Sequence, residues 1–423
     1  MARILVASLP FAGHVVALSA VAAELVRRGH DVVAYTGAKH QHPFADAGAT
    51  WLPWAEATDF DDADLAATFP KVGDGKGLRG GRANMEYVLM GTAVGQVNDI
   101  LAAAPYDLIV ADQLAFGAGV AALATGIPWA TVDVTPLSLI SRDLPAPAMP
   151  WLPATGRLGR ARDAVARALV QAVGRVALDP QLNKLRAQFG VGPVPPGRLL
   201  DSTYSTELVL AQGVPGLDYP RGDLPPYVHF VGRLASPPRA GAAVELPPWW
   251  PELAAARAVV HVTQGTVDTG PDDLLKPAIA ALADQEVLVV CTTGGVDPAA
   301  LGPLPANVRT AVFVPHDLLL PEVDVMVTNG GWGGVLAAIQ AGVPLVVGGG
   351  SLDKPEVARR VGWSGAGINL RTGAPKPARI AHAVREVMSQ PRFRSRAEEL
   401  GGALSAAGGA HKAGDLLDRL LAH

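Results

Sequence analysis

Cysteine is almost missing from the 423 residues: Cys291 stands alone, which excludes an internal disulfide and any cysteine-rich metal site. It falls in the apolar run Val287-Leu288-Val289-Val290-Cys291, so core packing is its expected role. Histidines and carboxylates nowhere take up zinc spacing. An excess of charge of one sign is lacking too, because 35 basic and 39 acidic residues leave a formal charge of −4. That balance gives no basic footprint for nucleic acid. Every apolar run falls short of the roughly 20 residues that span a bilayer. Pro10 and Gly13 break the first run early, and no signal peptide is apparent. The expectation is a soluble, cytosolic protein without membrane or nucleic-acid partners, as a monomer or homodimer.

Length and hydrophobicity supply what charge does not. With 49% apolar residues, the chain can fill the cores of two domains. Ile4 to Ser8, Asp31 to Thr36 and Ala49 to Leu52 read as strands separated by helices, a spacing that implies parallel pairing through right-handed crossovers. Residues 56–83 turn charged and glycine-rich and read as a surface excursion, with Asp59, Asp61 and Asp62 as solvated acids rather than metal ligands. A helix over about 84–104 leads to the strand Asp107 to Ala111, which carries Asp112 at its carboxyl end. Residues 136–156 contain five prolines and read as a loop over one face of the sheet. Prolines and glycines cluster again over 214–251, interrupted by a strand at Tyr227 to Val231, and mark the expected boundary. Beyond it a second alternating pattern runs through strands near 258–263, 287–292, 308–313, 325–328, 344–347 and 367–370. The division expected is 1–213, a linker over 214–251, a second domain over 252–400 and a terminal helix over 401–423 packing back on the first domain. Both halves read as doubly wound α/β sheets facing across a cleft, and ligands of such sheets sit beyond the carboxyl ends of the strands.

Chemistry is therefore sought at strand ends. The first strand delivers His14 just past Gly13, and the strand at 107–111 delivers Asp112. An imidazole oriented by a carboxylate can take a proton from a hydroxyl near neutral pH. Read singly, His14 also fits a turn histidine satisfied by backbone, and Asp112 fits the cap of the next helix. In the second half, Thr263-Gln264-Gly265-Thr266, Thr293-Gly294-Gly295 and Asn329-Gly330-Gly331-Trp332-Gly333-Gly334 end successive strands. The last runs directly into a helix, whose free N–H groups and positive dipole end suit an anion. An ordinary tight turn is the alternative for each. No complete G-x-G-x-x-G follows the first strand and no G-x-x-x-x-G-K-[ST] occurs, so neither a dinucleotide fingerprint nor a P-loop is present.

The stretches LPFAGHVVALSAVAAELVRRGHDV, DLIVAD, VTQGT and FVPHDLLLPEVDVMVTNGGWGGVLAAIQAGVPLVVGGGSLDKPE together resemble the UDP-glycosyltransferase-like superfamily of inverting, metal-independent GT-B enzymes, in particular actinobacterial natural-product glycosyltransferases. The resemblance spans nearly the whole chain. It implies a UDP- or dTDP-sugar as donor substrate, no cofactor, and a hydrophobic small-molecule acceptor such as a polyketide, macrolide or flavonoid. By position it makes His14 the general base and Asp112 its orienting carboxylate. It makes Phe313 the group that stacks on the nucleotide base and Val314 its backbone partner, with His316 beside them. Gly13, Thr266, Asn329, Gly330, Gly331, Gly333 and Gly334 fall at diphosphate contacts, and Asp353 and Lys354 at the pair that grips the sugar. Phe11, Phe60, Met149 and Trp151 are the expected acceptor contacts, with Trp51, Trp54 and Trp129 nearby; all of these also fit core. Three positions depart from the pattern: Asn329 replaces a histidine, Ala337 a ribose-binding glutamate and Lys354 a glutamine. A sugar-nucleotide epimerase or phosphorylase, or a non-catalytic partner of a transferase, are the alternative functions.

Overall fold

The computed structural model describes residues 1–73, 77–147, 149–235, 245–265 and 270–422. They divide into two compact units, Met1–Ser236 with Ala407–His423, and Pro237–Ala406.

In the first unit seven short apolar segments pair in parallel: β1 (Arg3–Ala7), β2 (Asp31–Tyr35), β3 (Thr50–Leu52), β4 (Leu108–Asp112), β5 (Trp129–Asp133), β6 (Leu208–Gln212) and β7 (Val228–Gly232), in the order β3-β2-β1-β4-β5-β6-β7. The central strands are continuously hydrophobic because helices cover both faces of the sheet. On one face Leu5 and Ile109 pack with Trp54, Phe60 and Trp129; on the other Ile4, Val6 and Val110 pack under the helix Ala12–Arg27. The strand order reverses between β1 and β4, whose register sets Ala7 beside Ala111. This is the switch point where an open α/β sheet leaves a crevice.

The second unit repeats the plan with six parallel strands, β8 (Val259–Thr263), β9 (Leu288–Thr292), β10 (Val308–Ala311), β11 (Val325–Thr328), β12 (Leu345–Val347) and β13 (Gly367–Asn369), in the order β10-β9-β8-β11-β12-β13. Its switch point lies between β8 and β11, where Thr263 sits beside Thr328. Cys291 is fully buried in β9, and burial pushes its thiol up to about 12, as an inert core residue requires.

The strand expected among the prolines of 214–251 forms at Val228–Gly232 and closes the edge of the first sheet as β7, so the first unit runs on to Ser236. The helix over 84–104 is interrupted, with a wide turn at Asn84–Leu89 before the regular helix Ala93–Ala102. A side chain at Gly91 would strike the Tyr87 carbonyl, so the break is built around that glycine. Trp249 and Trp250 stack at 6.1 Å within the second unit, and the Trp249 indole donates to the Thr310 carbonyl at 3.0 Å.

The last helix, Gly409–Leu421, completes the first unit. Ala413, Leu416 and Leu417 enter the core under β6 and β7, and Arg28 binds Asp415 and Asp418, each at 2.7 Å. The same guanidinium reaches Glu24, and His30 closes the group on Asp418 at 2.9 Å.

Candidate active site

The turn Leu9–Ala12 carries the chain from β1 into the helix Ala12–Arg27, and His14 lies in that helix's first turn. Asp112, 1% exposed at the end of β4, accepts from His14 Nδ1 at 2.5 Å. The same carboxylate accepts the backbone N–H of Leu9 at 3.2 Å and that of Leu114 at 2.9 Å. Three donors from different segments therefore fix its plane, and it in turn fixes the imidazole. With Nδ1 donating to Asp112, the basic lone pair resides on Nε2. A Cβ on Gly13 would meet nothing within 4 Å, so there is room beside the histidine.

Asp62, one of the acids expected in solvent, is only 3% exposed and holds the other side of this turn. The helix has no capping side chain at Phe11 and no acid in its first turn, so its N-terminal N–H groups lack a local partner. Asp62 accepts the Ala12 N–H at 2.8 Å from 50 residues away, and Lys39 at 2.6 Å and His40 at 3.2 Å balance its charge. Burial works to raise its pKa, but the hydrogen bonds from His40, Lys39 and Ala12 outweigh burial and hold the carboxyl well below the usual range. Nothing in the acidic run distinguishes Asp62 from its neighbours; only the fold does.

Of the expected acceptor residues, Phe11 and Phe60 are brought to the histidine. The Phe11 ring lies 5.2 Å from that of His14 and 5.3 Å from Phe60. Phe60 itself is 4% exposed and packs against Trp54 and Phe69, so it is the wall behind Phe11. Trp54 and Trp129 are core, and the Trp51 indole is tied to the Thr36 carbonyl. Trp151 is committed elsewhere: its indole donates to Asp163 at 3.0 Å and its ring lies under Arg162. Met149 is half-buried in the same loop, bonded back to Ala146.

In the second unit Gln264 and Asn329 extend the two strands that flank the switch point. The Asn329 amide nitrogen donates to the Gln264 carbonyl, so one of its two hydrogens ties the two strand ends together. Gly330 has φ +93, and a Cβ there would lie 2.8 Å from Val347, so only glycine fits. Gly331 caps the helix Trp332–Gln340, and a Cβ on Gly331 or Gly333 would meet nothing within 4 Å among the described residues. Gly334 lies against His316, whose Cε1 would be 3.4 Å from an added Cβ. Lys354, 6% exposed, starts the helix Lys354–Ser364; Asp353 precedes it, and the Lys354 carbonyl lies 3.4 Å from a Cβ placed on Gly330. Phe313 is 69% exposed while Val314 beside it is buried. Ala337 is buried in the helix and supplies no carboxylate. Thr266 lies outside the described residues. Among the described residues, no group of three or more His, Cys, Asp or Glu is placed to hold a metal.

Sequence reading also passed over His261, a histidine in the middle of the apolar strand β8. It is fully buried, its Nδ1–H donates to the Val290 carbonyl at 3.0 Å, and its ring meets His316 edge-on at 5.8 Å. Burial, reinforced by the nearby His316, pushes its pKa down to about 3. With the folded value below the unfolded one, this stabilisation is complete above about pH 6.5 and is lost as pH falls toward 3. The loss amounts to about 1.4 kcal/mol per pH unit in that window. Between pH 6.5 and 5, urea unfolding should therefore show the wild type losing roughly 2 kcal/mol more stability than His261→Leu. Parallel losses in the two proteins would show that His261 is not held neutral.

Comparison with known proteins gives this geometry a context. Residues 276–409 match the family described as erythromycin biosynthesis protein CIII-like, C-terminal domain. The 4'-demethylrebeccamycin synthase of Lentzea aerocolonigenes is 41% identical over 423 residues, covering 99% of this chain and 100% of the relative. The UDP-glucosyltransferase B1 of Starmerella bombicola is 31% identical over 93% of each chain. Two Rossmann-like units with polar residues gathered at both switch points, together with these matches, define a glycosyltransferase of the GT-B fold. The solved structure of the glycotransferase of kitacinnamycin agrees, with 25% identity, a TM-score of 0.73 and 99% of both chains covered. The chain belongs to the UDP-glycosyltransferase-like superfamily, among its natural-product enzymes.

Proposed function

We propose that the protein is an inverting, metal-independent transferase that moves a sugar from a UDP- or dTDP-sugar to a hydroxyl of a hydrophobic small molecule, with His14 as general base. The observation that carries this reading is the 2.5 Å contact between His14 Nδ1 and the buried Asp112 carboxylate. As the acceptor oxygen attacks the anomeric carbon, its proton passes to Nε2 of His14 and the imidazolium is stabilised by Asp112. The bond from the anomeric carbon to the diphosphate oxygen breaks on the opposite face, and the nucleoside diphosphate leaves with the electron pair. The N–H groups at the start of the helix Trp332–Gln340 supply fixed donors for that growing charge. The exposed Phe313 offers a face to the nucleotide base, and Asp353 with Lys354 offers polar groups to the sugar. No cofactor enters this scheme. An epimerase, a phosphorylase or a non-catalytic partner finds no support among the relatives, which carry synthase and glucosyltransferase names.

Donor choice follows from Ala337. A hydrogen bond to a charged group contributes about 1.5–3 kcal/mol, roughly 10- to 150-fold in affinity. With no carboxylate at that position to grip a ribose 2′-hydroxyl, UDP and dTDP should bind within about fivefold of one another by calorimetry. Binding of neither nucleotide at millimolar concentration would remove the nucleotide-sugar reading. A preference for UDP above 100-fold would place a ribose-reading group elsewhere.

A further inference from the structure

The helix Arg157–Ala177 of the first unit is long and thinly covered: of its 21 residues only Asp163 is buried. Leu158, Val165, Leu169, Val173 and Val176 are 90, 69, 65, 58 and 78% exposed. Their spacings of 7, 4, 4 and 3 residues put them on one face. Exposed apolar side chains scattered singly over a protein need no explanation, but a regular stripe roughly 27 Å long does.

The charge on the same helix narrows what can cover that stripe. It carries Arg157, Arg160, Arg162, Arg167 and Arg175 against the single acid Asp163, in a chain whose formal net charge is −4. Asp163 is turned inward, where it binds Arg162 at 2.6 Å and the Trp151 indole at 3.0 Å. Arg157, Arg160, Arg162 and Arg175 are exposed. A second copy of the chain paired through this stripe would bring together two helices of like charge. A folded protein partner usually seats aromatic anchors in pockets, whereas the stripe is leucine and valine throughout.

We propose that this face is a peripheral docking surface for an anionic lipid bilayer, with the helix lying in the interface plane. The apolar stripe enters the headgroup–acyl boundary and the arginines meet lipid phosphates, the pattern of an amphipathic interfacial helix. The expectation of a chain with no membrane partner rested on the lack of a spanning run, and an interfacial helix needs none. The docking claim stands apart from the assignment of His14 and of the donor.

The test is cosedimentation of the full chain with sucrose-loaded vesicles of phosphatidylcholine alone or with about 30% phosphatidylglycerol added. The wild type should pellet with the phosphatidylglycerol vesicles at low ionic strength, remain in solution with pure phosphatidylcholine, and be released by about 0.5 M salt. The pair Val165→Asp with Leu169→Asp should lower binding at least about tenfold. The pair Arg157→Gln with Arg175→Gln touches only exposed side chains and should lower it about fivefold per arginine removed. Unchanged thermal unfolding and UDP affinity identify the variants as folded. Failure of the wild type to pellet with anionic vesicles overturns the proposal, as does equal binding by both folded variants. A solution dimer that the aspartate pair splits into monomers would assign the face to a second copy and overturn it equally.

Discussion

His14→Ala should lower kcat/KM for an aliphatic alcohol acceptor by at least about 100-fold, near 2.7 kcal/mol of transition-state stabilisation. An alcohol cannot lose its proton near neutral pH without a base, and the proposed base is the histidine ring held by Asp112 beside the switch point of the first sheet. The effect should depend on the acceptor. With an aryl thiol such as 3,4-dichlorothiophenol, already largely ionised near neutral pH, the same substitution should cost less than about tenfold. With 3,4-dichlorobenzyl alcohol the full loss should appear. Equal losses on both would mean that the imidazole positions the acceptor instead of taking its proton. Near-normal turnover of the alcohol would remove His14 from the chemistry.

Asp112→Asn should be as severe, although the side chains have the same shape. The carboxylate accepts from His14, Leu9 and Leu114 together, so its oxygens face donors on every side. An amide has one oxygen and one nitrogen. Leu114 donates to Oδ1 while Leu9 and His14 both meet Oδ2, so with the amide oxygen kept on Leu114 the NH2 faces His14 Nδ1, selects the tautomer whose basic lone pair points at residue 112 instead of the acceptor, and leaves the Leu9 N–H without its acceptor. Loss of the charge also leaves the imidazolium unsupported. In serine proteases the corresponding exchange lowers kcat about 10⁴-fold, and here a fall of about 10³-fold or more in kcat is expected, with KM changed less than about threefold. An unchanged kcat would take Asp112 out of the site and leave it as a tie for the β1 turn.

Both predictions rest on residues legible in the sequence, because the features that announce them are local. Apolar runs of four or five residues that stop at glycine or at a lone polar residue mark the parallel strands; Asp112 and Asn329 stand at such stops, and His14 follows the first strand across the turn through Gly13. What could not be read depends on distant pairing. β7 was legible as a short apolar run among prolines and glycines, but its pairing with β6 at the sheet edge, which carries the first unit on to Ser236, was not. Asp62 looked like one solvated acid among several, since its burial comes from Lys39, His40 and the uncapped helix at Ala12 meeting it in space. The aromatic residues left two readings open, acceptor surface or core, and the helices over the sheet enclose Trp54, Trp129 and Phe60 in the core, with Phe60 backing Phe11. The glycine turn at 329–334 was recognised by its pattern, whereas the exclusion of any side chain at Gly330 by Val347 appears only in three dimensions.

The last helix has a further consequence, for the order in which the protein is made. The first unit is discontinuous in the chain: residues 1–236 form its sheet, and its closing helix, Gly409–Leu421, follows only after the whole second unit. During synthesis the apolar surface under β6 and β7 and the cation Arg28 wait for Leu416, Leu417, Asp415 and Asp418 to leave the ribosome. The unit that presents the proposed catalytic base can therefore finish folding only after the unit proposed to bind the donor has been translated. This timing ties completion of the chemical machinery to completion of the chain.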